Sequence, residues 1–190
     1  MQKNKYINFL QKFLFLFILL IGVTANSQNI DSLKVVLKNA KHDTVRCYIL
    51  SLMIENEPDE EAWPEYNTQL KNIAEQNLNA GVKTKRLQRF YSKHLANTLN
   101  DEAYSLINVG DIESALELYH QSLNINQSLH NKVGMSITFN DLGTIYFNQG
   151  EVKKAQEYFE KSLSLQHGVG DKLGEANSLN NIGLTYKALG

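Results

Sequence analysis

From about residue 96 onward, apolar and polar positions recur along the chain with the spacing of a helix. Phe139, Leu142, Gly143 and Tyr146 stand three or four residues apart and form one stripe. Ala155, Tyr158, Phe159, Ser162 and Leu163 form another. Between the stripes, Gly150 suits a helix end that needs a left-handed residue, and Glu151 suits the positive end of the next helix dipole. The predicted unit is a pair of antiparallel helices of about 16–18 residues joined by a tight turn.

This unit repeats. Thr98–Gly110, Thr138–Gly150 and Ser178–Gly190 align without a gap, placing Gly110, Gly150 and Gly190 at intervals of 40 residues, like Asn100, Asn140 and Asn180. The second helices also correspond, Asp111–Leu123 with Glu151–Leu163, which pairs Ala115 with Ala155 and Tyr119 with Phe159. Asn131 and Asp171 open matching connectors and are the expected N-caps of the helices that follow. Gly143, Gly183 and Ala155 are small enough for the paired axes to approach closely.

Upstream the pattern is helical but not clearly repeated. Residues 30–39 and 43–54 predict a helical hairpin with Asp43 as an N-cap, followed by an acidic loop over 55–64. Pro64 suits the first turn of a helix reaching about Asn79 and ending near Gly81, and 83–109 reads as one long helix. Residues 1–27 have a different character. A short basic start is followed by the apolar run Phe13–Val23 and the small residues Ala25 and Ser27, the layout of an export signal cut after Ser27. The alternative is a retained signal anchor. The division expected is 1–27 signal, 28–95 helical N-terminal segment and 96–190 repeats, with the protein exported to the periplasm.

Charge and composition narrow the function. Losing Lys3, Lys5 and Lys12 with the signal leaves 16 basic against 20 acidic residues, with no basic patch. Nucleic acid is therefore not an expected partner, and a membrane enters only through a segment downstream of Gly190. The single cysteine, Cys47, rules out a multi-thiolate zinc site and reads as a core residue, the alternative being an intermolecular bridge. Glu117 and His120 share one helix face, but the next repeat has Glu157 and Glu160 there, so no metal site is expected. Asp59-Glu60-Glu61 reads as a solvated loop. No phosphate-binding loop, nucleophile elbow or Cys/His pairing is present, which points to no enzyme and no cofactor.

The repeat resembles the tetratricopeptide repeat (TPR) family. Its pattern of large apolar, Leu-Gly, aromatic, turn glycine, alanine, aromatic and small residue is matched by Phe139, Leu142-Gly143, Tyr146, Gly150, Ala155, Phe159 and Ser162. The first repeat departs from it at Glu102, Ala103 and Leu106. The 40-residue length exceeds the common ~34 and is similar to variants in kinesin light chains and in cell-polarity and bacterial signalling scaffolds. The resemblance implies an all-α fold, a right-handed α-α superhelix behind a helical leader, with a concave face formed by the first helix of each pair. It implies a peptide or partner protein bound there by Asn100, Asn140, Asn180, Asn97, Asn177, Tyr104, Phe147 and Lys187. In similar Leu-Asn-Asn-Leu-Gly segments the asparagines hold a peptide main chain. Asp101 and Asp141 replace the second asparagine in two of the three repeats. The alternative is that the asparagines bridge neighbouring helices or face water. With Lys187 as the one cation among these positions, an acidic-tail ligand is disfavoured.

A second functional reading is the sensory front end of a membrane-bound signalling enzyme, a histidine kinase or cyclase. The third unit reaches only its turn glycine at Gly190, so the 190 residues are expected to be part of a longer solenoid or sensor.

Overall fold

The computed structural model describes residues 26–57, 59 and 62–190. The expected signal segment lies outside them except for Asn26 and Ser27, and so does most of the acidic tract at 59–61. Eight helices follow one another among the described residues: α1 (Asn26–Asn39), α2 (Asp43–Asn56), α3 (Trp63–Asn79), α4 (Lys85–Asn108), α5 (Ile112–Ser128), α6 (Lys132–Asn148), α7 (Val152–Val169) and α8 (Lys172–Leu189). Each packs mainly on its neighbours in sequence, and α4 touches α6 as α6 touches α8. The result is an all-α superhelical stack, with α4, α6 and α8 in one layer and α5 and α7 in the other.

The turns follow from local chemistry. Gly110 and Gly150 adopt φ of 85° and 80°, conformations that need no Cβ. The amide of Asp111 then reaches the Leu106 carbonyl, and that of Glu151 the Tyr146 carbonyl, closing each helix. His130 takes the same role after α5 at φ 50°, where the next repeat has Gly170. Asp171 caps α8 through the Gly174 amide at 2.9 Å, and Asp111 caps α5 through that of Ser114.

Two expected caps are used otherwise. Asn131 occupies the cap position, but its amide donates to Asn126 Oδ1 at 2.7 Å, tying α6 to the end of α5. His42 stands at the cap position of α2, and Asp43 is already helical, pairing with Arg46 and accepting from Asn77.

Two hydrophobic cores share α4. Ile30, Cys47, Leu50, Met53, Leu70 and Tyr91 build the first, and Leu95 packs on it. Ala103, Ala115, Tyr119, Leu142, Ala155 and Phe159 build the second. Polar groups inside the repeats follow the same 40-residue register. Ser122 Oγ donates to the Ala96 carbonyl and Ser162 Oγ to the Ser136 carbonyl, each at 2.8 Å and each buried. The unusual first repeat also has a structural reason. Glu102, where the next repeat has buried Leu142, faces α3 and forms an ion pair with Lys71.

Candidate functional site

The layer formed by α4, α6 and α8 carries side chains that the packing leaves free. Equivalent positions two turns apart are exposed: Asn97, Ile137 and Asn177 on one level, and Tyr104, Thr144 and Leu184 on another. Tyr104 is 57% exposed, Ile137 50% and Leu184 44%, and Val133, Leu173, Leu179, Tyr186 and Leu189 of the same layer are exposed too. Asn180 and Lys187 are exposed as well. Phe147 is half-buried and packs against the second core.

Asn100 and Asn140 are half-buried and engaged with the next helix in the layer. Asn100 exchanges hydrogen bonds with the Thr138 hydroxyl, its Nδ2 donating at 3.1 Å and its Oδ1 accepting at 3.2 Å. Asn140 Oδ1 accepts from Asn181 Nδ2 at 2.9 Å. Bridging the layer therefore engages both amide atoms of Asn100 and the oxygen of Asn140 and fixes their orientation.

Next to these asparagines lie two residues that the sequence marked only as departures from a pattern. Asp101 on α4 and Asp141 on α6 are half-buried, and neither carboxylate makes a hydrogen bond or ion pair among the described residues. Burial raises the Asp101 carboxyl to about 6. Burial, and then the charge of Asp101, raises that of Asp141 to about 7. Tyr119 on α5 is buried in the second core, and its hydroxyl is raised by burial first and then by Asp141, Asp101 and Tyr104. The available signal was an acid at the second Asn position in two consecutive repeats. Nothing in the stripe pattern said that the two would become neighbours.

Other chemically capable residues are structural. Cys47 is buried, which pushes its thiol up to about 12 and leaves it protonated. Burial, then Lys93, draws His94 down to about 4; its ring packs on Phe90 and its Nδ1 lies 3.3 Å from Ser51 Oγ. Glu117 accepts from Gln121 on its own helix. Among the described residues no three His, Cys, Asp or Glu side chains gather as metal ligands, and no helix is long and apolar enough to cross a membrane.

No curated protein sequence matches the chain significantly. Among solved structures it is similar to the crystal structure of BtubC (BKLC) from P. vanneervenii, with a TM-score of 0.54 and 20% identity, over 79% of this chain and 59% of that one. At that identity the likeness concerns the fold alone, and the chain spans less than two thirds of its relative. The tetratricopeptide repeat profile matches residues 94–166 and, overlapping them, 134–190, the same paired helices from the second half of α4 to α8. The chain is thus a member of the tetratricopeptide repeat family.

Proposed function

We propose that the protein is an exported TPR module that binds a peptide or partner protein along the inner layer formed by α4, α6 and α8. TPR repeats commonly mediate protein interactions. The observation that carries the groove reading is the set of exposed side chains on that layer, Tyr104 and Leu184 on one level and Ile137 with Asn97 and Asn177 on another, with Asn180 between them. Aromatic and aliphatic anchors supply apolar area, and the amides supply donors and acceptors for a peptide main chain. Recognition is by shape and hydrogen bonding, with no covalent step. Export rests on the basic start, apolar run and small residues of 1–27.

The test is selection of binders from a random peptide library on the full chain. Selected peptides should lose about ten-fold or more in affinity when Tyr104 and Leu184 are both replaced by alanine. They should be indifferent to Glu113→Ala and Lys153→Ala, exposed substitutions on α5 and α7. Equal losses from both pairs would contradict the groove.

A further inference from the structure

We infer that the cleft between α3 and α4, with the Asn67 amide at its floor and Trp63 in its wall, is a second binding site and receives the guanidinium group of an arginine. It stands apart from the inner-layer groove and does not depend on it.

The cleft has a volume of about 340 Å³ and opens where the repeat gives up apolar packing. Glu102 and Ser105 line it from α4, at positions that the next repeat fills with Leu142 and Ile145, 0% and 3% exposed. Asn67, contributed by α3, is the one buried residue of the lining, at 5% exposed. Its Nδ2 donates to the Thr98 carbonyl at 2.9 Å, which fixes the amide. Its Oδ1 has no hydrogen-bond partner among the described residues. A buried acceptor left unpaired is costly, so the floor of the cleft lacks a donor.

The rest of the lining is short of donors too. Thr68 Oγ1 donates to the Pro64 carbonyl and Ser105 Oγ to the Asp101 carbonyl, which leaves each hydroxyl with lone pairs to accept. Lys71 is held by Glu102. Glu75 is half-buried and makes no hydrogen bond or ion pair among the described residues. The lining therefore carries one cation against two carboxylates.

What fits is a flat cation made only of donors. A guanidinium presents five N–H donors in a rigid fork and no acceptor, so it can serve acceptors on α3 and α4 together. It also stacks on aromatic faces, and Trp63 supplies an indole in the wall. A lysine ammonium is a compact, strongly hydrated point charge without that reach. An anion would face two carboxylates and the unpaired oxygen of Asn67.

Trp63 is the chain's one tryptophan, so its fluorescence reports on the cleft directly. The full chain is titrated with N-acetyl-L-arginine methylamide, with the lysine and norleucine counterparts, and with free L-arginine. The capped arginine should change Trp63 emission saturably, the capped lysine should bind about ten-fold or more weakly, and the capped norleucine should change nothing. Asn67→Leu and Glu75→Gln should each weaken arginine binding by about ten-fold. Circular dichroism verifies their folding, and Glu75→Gln, which breaks no contact, carries the test if Asn67→Leu does not fold. Free L-arginine binding as tightly as the capped form would make the ligand the free amino acid; tighter binding of the capped form would make it an arginine within a peptide. No saturable change with either arginine compound, equal binding of the capped lysine, or binding that both variants leave unaltered would overturn the site.

Discussion

Replacing Phe159 by alanine is expected to lower stability by about 3–5 kcal/mol, the largest effect of any single substitution considered for the repeats. Phe159 is 2% exposed and lies in the second core, where α7 closes against α6. Its ring fills the space left by Gly143. A Cβ at 143 would lie 2.6 Å from Phe159 Cε1 and 2.7 Å from Cδ1, well inside contact distance. Gly143→Ala should therefore be destabilising by about 1–3 kcal/mol despite the better helix propensity of alanine. With Phe159 already truncated, the added methyl enters the cavity, and the combined loss should fall short of the sum by about 1–3 kcal/mol. Gly183 is the control. It holds the equivalent position in α8, and a Cβ there meets nothing within 4 Å. Gly183→Ala should stabilise by up to about 1 kcal/mol. Urea denaturation of the four variants measures all of this. A Gly143→Ala chain as stable as Gly183→Ala would show that close approach of α6 and α7 does not set the repeat geometry.

The second large effect is a gain. Asp141→Asn should stabilise the free protein by on the order of 1–3 kcal/mol at pH 8 and hardly at all at pH 4. Burial raises the Asp101 and Asp141 carboxyls to about 6 and about 7 from 3.8. Between pH 4 and 7 the folded chain thus holds more protons than the unfolded one, and stability falls as the pH rises through that window. Burial alone acts on Asp101, burial and then Asp101 act on Asp141, and no cation acts on either. His94 works in the opposite sense. Its folded-state value is about 4 against 6.5, so the unfolded chain binds the extra proton and stability rises from pH 4 to 6.5. Thermal or urea unfolding across this range should show the D101N/D141N advantage growing with pH and levelling above 7. An advantage independent of pH would mean that the carboxylates ionise normally in the folded protein.

Much of the fold was legible because a repeat states the same packing problem several times. The stripes through Tyr146 and Phe159, and the glycines at 110 and 150, identify paired helices without any long-range information. The departure at Glu102 was visible, but its partner was not. Lys71 lies 31 residues earlier on α3, and the pattern of α4 does not say which neighbour covers that face. The caps show the same limit. Asn131 has the right side chain in the right place, yet Asn126 competes for it and wins. His130 at φ 50° occupies a position where sequence favours glycine. The acidic pair was the hardest to see. Its members are separated by 40 positions in sequence and become neighbours only because α4 and α6 lie side by side. Hydrophobic periodicity assigns each helix its buried face but is silent on lateral contacts within the layer.

The central claim is that partners lie on the inner layer, and site-specific photo-crosslinking tests it most directly. A benzophenone side chain is placed at Tyr104 or Leu184, exposed on α4 and α8, or at Gln121 or Lys153, exposed on α5 and α7. Each chain is irradiated with a selected peptide carrying a fluorophore. Adducts are expected from positions 104 and 184 and not from 121 and 153. Adducts mainly from 121 and 153 would place the partner on the outer layer and contradict the account.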